Sequence, residues 1–153
     1  NGQIILNGTP VEQKVEPAIA LPLDANSRCD GFGFDDFRST NADGKPICRV
    51  PVMRETLPNG ATYLIIDHQN QDLDNFPEIT VPEDHVFVMG DNRDRSADSR
   101  FPAVEGGGIG LVPEKNLVGK ALVSVFSTDG SANWLLPWTW FTAARWSRIG
   151  EGF

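Results

Sequence analysis

The sequence has few of the side chains that common metal and cofactor sites require. Its two cysteines cannot build a four-cysteine zinc site, and His68 and His85 make a poor metal site without a third ligand. It contains no phosphate-binding loop, no Gly-x-Ser-x-Gly elbow and no His-Glu-x-x-His motif. We therefore expect no metal and no cofactor.

Positive charge and long apolar runs are also scarce. The 153 residues include 13 Lys and Arg against 21 Asp and Glu, which gives a net charge of −8. A nucleic-acid-binding protein needs a basic face, and a membrane-spanning helix needs roughly 18 or more apolar residues. The sequence therefore indicates a soluble chain with no nucleic-acid partner. It opens without Met and without a signal-peptide pattern, so we expect a processed form or a piece of a longer protein.

The two cysteines, Cys29 and Cys48, permit either one disulfide or two free thiols, and their spacing alone does not decide between them. A bridge would close a loop of about 20 residues and stabilise the fold by about 3 kcal/mol. The enclosed segment is rich in Gly, Asp and Asn and shows little periodicity. Because such a loop gains most from a crosslink, we favour the disulfide, and with it an extracytoplasmic location.

Two β-hairpins are the clearest local structures in the sequence. Residues 3–6 and 9–15 flank Asn7-Gly8, a pair that tolerates the positive φ angles of a tight hairpin turn. Residues 49–56 and 61–67 flank a Leu-Pro-Asn-Gly turn, and both arms alternate between apolar and polar side chains. The sequence therefore predicts strands in both regions.

The rest of the chain also predicts short strands and little helix. The apolar run at residues 86–89 is typical of a strand buried on both faces, and the alternation in residues 117–127 predicts another strand. Residues 133–148 contain all four tryptophans and fit either a short helix or an extended segment. The fold class that follows is mainly β.

Residues 90–100 form the densest charged segment, directly after the predicted strand at residues 86–89. They contain three Asp and three Arg, so the segment is neutral overall. Exposed ion pairs contribute only about 0–1 kcal/mol each, so charge-assisted hydrogen bonds that hold a catalytic group are a better reason for the cluster. A Ser–His–Asp triad from Ser96, His85 and Asp98 is disfavoured, since no oxyanion-hole glycine stands beside the serine.

Residues 90–100 read Gly-Asp-Asn-Arg-Asp-Arg-Ser-Ala-Asp-Ser-Arg. They resemble the signature Gly-Asp-Asn-Arg-Asp-Asn-Ser-x-Asp-Ser-Arg of bacterial signal peptidase I, a membrane-anchored serine endopeptidase that removes signal peptides from exported proteins. Arg95 is the one substitution, because the family usually has Asn there. Further stretches resemble the family in the same order, at residues 1–12, 54–60, 110–121 and 148–150.

The resemblance implies roles for individual residues in a site built around a general-base lysine. Ser96 would orient that lysine, Gly90 would leave space for its stem, and Asp98 would pair with Arg100 to fix the turn. Without the resemblance, Ser96 would be interpreted as a turn hydroxyl bonded to local backbone. The residues expected to support the site structurally are Asp91, Asn92, Arg93 and Asp94.

The family's nucleophile and base are not found in the sequence. The nucleophilic serine of the family lies in a Ser-Met-x-Pro motif and the lysine lies just before a Gly-x-Pro-Gly-Asp motif, and neither motif occurs. We expect both to lie upstream of this chain. The chain would then be the C-terminal part of a catalytic ectodomain, inactive alone, without the N-terminal strands and the membrane anchor.

The resemblance also implies an architecture and a location. A signal-peptidase-like β-core would come from residues 1–22 and 81–153, with an inserted β-rich cap at residues 23–80 that carries the cysteine pair. The intact enzyme would sit in the bacterial inner membrane, face the periplasm and bind exported preproteins as extended strands. Residues 134–141 would lie against the membrane, unless their tryptophans pack in the core.

Two further expectations concern partners and competing functions. Missing strands leave unpaired edges, so we expect dimerisation through residues 1–15 or 86–89. A processing peptidase of the conjugation or pilus type, or a self-cleaving repressor, would share the Ser/Lys chemistry, although the long cap and the charged segment argue against the repressor. A non-catalytic binding domain on the same scaffold would lack the upstream serine and lysine.

Overall fold

The computed structural model describes residues 2–31 and 33–152. The predicted core limits at Asn1 and Phe153, and Phe32 within the predicted cap, lie outside the described residues. The described part is mainly β, which confirms the predicted fold class. Its strands are β1 (Ile5–Leu6), β2 (Thr9–Pro10), β3 (Glu12–Pro22), β4 (Arg38–Thr40), β5 (Pro46–Thr56), β6 (Thr62–Ile65), β7 (His85–Val86) and β8 (Val112–Pro113).

Helices in the described residues are short. One α-helix, α1 (Trp138–Ala143), follows Pro137, so the helical alternative for this tryptophan-rich segment is the observed one. The 3₁₀ helices are Phe34–Phe37, Asp72–Asn75, Glu114–Asn116 and Trp146–Arg148. Within the described ranges, no helix has both the length and the apolar content needed to cross a bilayer.

Both predicted hairpins are confirmed. β1 pairs with β2 in antiparallel register, with Leu6 opposite Thr9. The two residues between them, Asn7 and Gly8, have φ angles of 50° and 77°, which is the conformation that Asn-Gly favours in a two-residue turn. β5 pairs with β6 from Thr56 opposite Thr62 onward.

The largest sheet has the order β3-β5-β4, and β6 also pairs with β5. The chain groups into two compact units, and the division between them falls within β3 and near the start of β5. The first unit is Asn1–Ile19 with Arg49–Leu117, and the second is Ala20–Cys48 with Val118–Phe153. Residues 49–80 of the predicted cap thus group with residues 81–117 here. The core-and-cap division of the intact protein stays a prediction.

The first unit buries apolar side chains from its early strands and from the hairpin. Val11, Val50, Val52 and Ile65 are each at most 3% exposed. These side chains lie on β5, β6 and the link between β2 and β3. This core fixes β5 and β6, the two strands whose ends reach the charged segment.

The second unit contains the disulfide Cys29–Cys48, with the two Cα atoms 5.6 Å apart. The Arg38 Nε donates to the Cys29 carbonyl at 2.6 Å, which ties β4 to the crosslink. Residues from the two ends of this unit also meet, because Arg145 forms an ion pair with Asp24 and Asn26 Nδ2 donates to the Thr128 carbonyl at 3.1 Å.

The strand predicted at residues 86–89 is mostly absent. β7 covers only His85–Val86, and residues 86–89 are half-buried rather than buried on both faces. The backbone of Val88 bonds to Ser99 instead of to a neighbouring strand. The prediction of a strand buried on both faces was therefore wrong for most of this run, because its backbone bonds to a turn and its side chains are only half-buried.

The prediction of a strand at residues 117–127 was wrong for the described structure. Val123 makes only an isolated bridge, with Gly152, and the side chains of Val118, Leu122 and Val125 are 72–103% exposed. Alternation marks one face of a segment as apolar, but a strand also needs a partner along its backbone.

The alternative prediction, that the tryptophans pack in the core, was wrong as well. Trp134, Trp138 and Trp146 are more than half exposed, and Trp140 is 36% exposed. Trp134 and Trp140 contact each other edge to face, and Phe141 stacks on Trp146. These rings contact one another at the surface and leave a large apolar area in water.

We predict that removing the disulfide destabilises the chain. Reduction, or replacement of Cys29 and Cys48 by Ser, should lower the free energy of unfolding by about 3 kcal/mol, because the unfolded chain is no longer crosslinked. Urea unfolding with and without reductant measures this difference. In the double Ser variant, which serves as the control, reductant should change nothing; a wild-type midpoint insensitive to reductant would contradict the prediction.

Candidate active site

The charged segment folds back onto the stretch that precedes it. The Val88 N–H donates to Ser99 Oγ at 3.0 Å, and the Ser99 N–H donates to the Val88 carbonyl at 3.1 Å. The Gly90 N–H donates to Asp98 Oδ2 at 3.0 Å. Residues 88–90 are therefore bonded to the far end of the same segment, and the segment forms a closed turn. We refer to residues 88–100 as the charged turn.

Asp98 and Arg100 form a buried, bidentate ion pair at the end of the charged turn. Arg100 Nε lies 2.9 Å from Asp98 Oδ1, and Arg100 Nη2 lies 3.0 Å from Asp98 Oδ2. The two side chains are only 3–5% exposed. The structure thus contains the ion pair that the resemblance implies, and the two parallel bonds define the direction of both side chains.

Burial and hydrogen bonding act in opposite directions on the Asp98 carboxyl. Burial raises its pKa, but bonds from the Arg100 side chain and from the backbone N–H groups of Gly90 and Arg100 outweigh burial, so the pKa is lowered. The ionised carboxylate is therefore the form that the turn is built to hold.

Arg93 occupies the centre of the charged turn. Its Nε donates to the Gly90 carbonyl at 3.3 Å, and its own carbonyl accepts a bond from Arg100 Nη2 at 2.6 Å. Its guanidinium donates to both carboxylate oxygens of Glu55, at 3.1 Å for the Nη1–Oε1 bond. Arg93 thus connects the turn to β5.

Glu55 is a site residue that the sequence did not single out. Its side chain is fully buried, and Gln13 Nε2 also donates to it at 3.0 Å. Tyr63 lies opposite Glu55 on β6. Burial raises the pKa of the Tyr63 hydroxyl, and so do its hydrogen bond to Glu55 and the charge of that carboxylate. The sequence did contain one hint of this role, because Glu55 is a charged residue within residues 54–60, one of the stretches that resemble the family.

The middle of the charged turn is bonded to the chain that leaves β6. The Ile66 N–H donates to the Asp91 carbonyl and the Arg93 N–H donates to the Ile66 carbonyl, both at 2.8 Å. Asn92 and Ile66 form a parallel bridge between these bonds. Arg95, the substituted position of the signature, is exposed. The backbone of residues 91–93 therefore bonds the turn to the residue that follows β6, and the supporting role predicted for these residues stays a prediction.

Asp94 is buried beneath the loop that follows β6. The His68 N–H donates to Asp94 Oδ2 at 3.0 Å, and His68 Nδ1 lies 2.5 Å from the same oxygen. Gln71 Nε2 donates to the Asp94 carbonyl at 3.2 Å. Asp94 is thus bonded to His68 and Gln71, two partners that were not foreseen, and its role in supporting the site stays a prediction.

Ser96 lies directly against Gly90. Both residues are half-buried, and a Cβ atom added to Gly90 would overlap the Oγ and Cβ atoms of Ser96. The absent side chain of Gly90 is therefore what lets the Ser96 hydroxyl approach the backbone at this point. His85 bonds to the Glu83 carbonyl, and the Asp98 carboxylate is occupied by Arg100 and Gly90, so these three residues form no Ser–His–Asp triad.

The described residues contain no group of three His, Cys, Asp or Glu side chains placed to hold a metal ion. The charged turn places the Ser96 hydroxyl beside Gly90. The buried carboxylates of Asp94, Glu55 and Asp98 are each bonded to a histidine or an arginine. This arrangement can orient a second polar group through a hydrogen bond, but it contains no activated nucleophile of its own.

Sequence comparison identifies the class of protein. The family profile described as "Signal peptidase, peptidase S26" matches residues 1–126, which include the whole charged turn. The chain belongs to this family.

The relatives include a signal peptidase I of Buchnera aphidicola, 46% identical over 79 residues, which are 50% of this chain and 21% of that protein. A signal peptidase I of Rickettsia typhi is 39% identical over 114 residues, or 63% of this chain and 40% of that protein. A signal peptidase I of Haemophilus influenzae is 44% identical over 85 residues, or 51% of this chain and 21% of that protein. The matches thus span only about a fifth to two fifths of these relatives' length. No solved structure matches the chain significantly.

We predict that Gly90→Ala disrupts the charged turn. The new methyl group overlaps Ser96, so the turn must shift, at a cost of about 1–3 kcal/mol for overpacking. Urea unfolding measures the cost. Gly119→Ala is the matched control, since a Cβ at Gly119 meets no atom within 4 Å; equal effects of the two substitutions would refute the prediction.

We also predict that Asp67→Asn stabilises the protein at neutral pH. Burial raises the pKa of Asp67, and the charges of Asp74 and Asp94 raise it further. The folded state therefore binds this proton more tightly than the unfolded state, and its stability falls as the pH rises from the unfolded pKa through the folded pKa.

Asparagine removes that penalty, so the melting temperature of Asp67→Asn should exceed that of wild type at pH 7, and the two should converge below pH of about 4. Asp43→Asn, in an exposed turn, should show no comparable pH-dependent gain. A variant that melts below wild type at pH 7 would disprove the assignment.

Proposed function

We propose that the intact protein is a signal peptidase that removes signal peptides from exported preproteins, and that this chain contributes the turn that orients its general base. Family membership and the printed names of the relatives support the reaction. The nucleophilic serine and the general-base lysine are proposed to come from a segment N-terminal to this sequence. The chain alone should therefore hydrolyse no peptide.

The chemistry sets clear requirements for such a turn. The serine oxygen attacks the scissile carbonyl carbon while the lysine amine takes the hydroxyl proton, and the amine then gives that proton to the leaving nitrogen. Water subsequently cleaves the ester by the same proton route. The lysine can act only when its amine is neutral, so it needs a poorly solvated position and a hydrogen bond that aims it.

The position of Ser96 against Gly90 is the observation that carries this proposal. Gly90 is bonded at both backbone polar atoms, through its N–H to Asp98 and through its carbonyl to Arg93. The Ser96 hydroxyl therefore lies against the backbone of Gly90, whose position is fixed by these two bonds. A lysine stem that packs over Gly90 would bring its amine to this hydroxyl without meeting a side chain at position 90.

Charge pairing around Gly90 also favours a neutral amine. An uncompensated carboxylate would hold an ammonium ion and raise the pKa of a lysine. The two carboxylates that reach Gly90, directly or through Arg93, are Asp98 and Glu55, and each is bonded to a buried arginine. An amine placed here would meet no unpaired negative charge from either residue.

The proposed location is the bacterial inner membrane, with the catalytic domain facing the periplasm. Exposed Trp134, Leu135, Trp138 and Phe141 form an apolar surface of the kind that contacts a membrane interface. The Cys29–Cys48 disulfide fits an oxidising compartment. We also propose that residues 1–22 and 81–153 form the core of the intact enzyme and residues 23–80 its cap.

Pairing with a second copy is proposed through residues 1–15, part of which lies at an edge of the largest sheet, or through residues 86–89. β3 ends the strand order β3-β5-β4, and most of its side chains are exposed. Residues 12–15 of the predicted edge segment belong to β3. An edge strand of this length readily pairs with another chain unless it is covered.

We predict that Ser96→Ala in the full-length protein lowers kcat about 100-fold, within the range seen when general-base catalysis is impaired. The acid limb of the pH–rate profile should move to higher pH, because the lost hydrogen bond favoured the neutral amine. Preprotein cleavage across a pH series measures both effects.

Ser99→Ala is the control from the same turn. Ser99 Oγ accepts the Val88 N–H, so its loss should lower stability without displacing the acid limb. Unchanged turnover in Ser96→Ala would remove Ser96 from the site.

A further inference from the structure

The side chain of Glu55 is fully buried in the described site, and its burial calls for an explanation. Its carboxylate accepts bonds from Arg93 and Gln13, and Tyr63 lies opposite it on β6. Buried ion pairs are poor stabilisers, since desolvation consumes most of their attraction and apolar residues of similar size often do better. Stability alone is therefore a weak reason for an acid at this position, and geometry is a better one.

The contacts of Arg93 show what Glu55 can control. With its two Nη groups bonded to Glu55, the Arg93 side chain is fixed in direction, and its Nε then faces the Gly90 carbonyl at 3.3 Å. The other polar atom of Gly90, its N–H, is bonded to Asp98. The Gly90 peptide units are therefore held from two sides, one of which depends on β5.

We propose that Glu55 is a positioning residue for the reaction: through Arg93 it fixes the Gly90 carbonyl, and through Gly90 it fixes the Ser96 hydroxyl. This inference rests on the proposed function of Ser96. Glu55 lies on β5, whose core residues Val50 and Val52 are buried. The position of the charged turn is thereby fixed by the rigid β5–β6 hairpin rather than by the turn's own loop. Precise placement of a catalytic hydrogen bond requires such support.

The same strand offers a matched control. Arg54, next to Glu55 on β5, forms an ion pair with Glu16 at 2.8 Å, but this pair is 22–39% exposed. Glu16→Gln removes one carboxylate charge from an arginine of the same sheet, as Glu55→Gln does. The two variants differ in burial and in whether the arginine reaches the charged turn.

The test uses the full-length protein with Glu55→Gln, Ser96→Ala and both together, in a preprotein cleavage assay. We expect Glu55→Gln to lower kcat at least about tenfold with KM little changed, since small misplacements of reacting groups cost this much or more. In the Ser96→Ala background the same substitution should cost less than about twofold, because its effect is transmitted through Ser96. Glu16→Gln should leave kcat unchanged. Equal losses in both backgrounds would overturn the proposal.

A second variant separates positioning from stability. Glu55→Met with Arg93→Met replaces the ion pair by apolar groups of similar volume, so the melting temperature should recover relative to Glu55→Gln. The kcat should stay low, because no group then holds the Gly90 carbonyl. Recovery of kcat together with stability would show that Glu55 acts only on the fold and would overturn the inference.

Hydrogen exchange gives a readout that does not depend on activity. In the full-length protein, Glu55→Gln should speed amide exchange in peptides that cover residues 88–100, and Glu16→Gln should not. Unchanged exchange there would refute the positioning role even if the enzyme works as proposed. If wild type cleaves no preprotein, or Ser96→Ala is fully active, the proposed function fails, while the exchange result still decides whether Glu55 holds the turn.

Discussion

The two hydrogen bonds to the backbone of Gly90 are the constraint on which the rest of the site depends. One comes from the Gly90 N–H to Asp98, and the other comes from Arg93 to the Gly90 carbonyl. Each partner is a buried charge that is itself paired, Asp98 with Arg100 and Arg93 with Glu55. The position of a residue without a side chain is thus defined by four charged side chains around it.

This arrangement explains why so many ions are buried in a small region. A charge in the interior is tolerated when it is paired and hydrogen-bonded. Here each charge is paired, and the pairs also share contacts, because Arg100 bonds to the carbonyl of Arg93. Removing one partner leaves another charge uncompensated, so the turn can hold one geometry well but adapts poorly to a substitution.

Local chemistry could be predicted from the sequence, whereas long-range partners could not. The Asn7-Gly8 hairpin forms because two neighbouring residues determine it. The segment at residues 117–127 shows a strand pattern but pairs only through a single bridge at Val123, since alternation carries no information about a partner. The eleven-residue signature identified the turn, yet the link to Glu55 joins residues 38 positions apart. No periodicity in the sequence reports such a contact.

The discontinuous second unit has a consequence for the order in which the polypeptide matures. Asp24 needs Arg145, and Asn26 needs the carbonyl of Thr128, so residues more than 100 positions apart complete the same unit. The ribosome adds about 5–20 residues per second. The N-terminal segment of this unit, Ala20–Cys48, is therefore synthesised several seconds before the C-terminal segment that begins at Val118. During that interval Cys29 and Cys48 are both already synthesised, so in an oxidising compartment the crosslink can form before Arg145 and Thr128 reach Asp24 and Asn26.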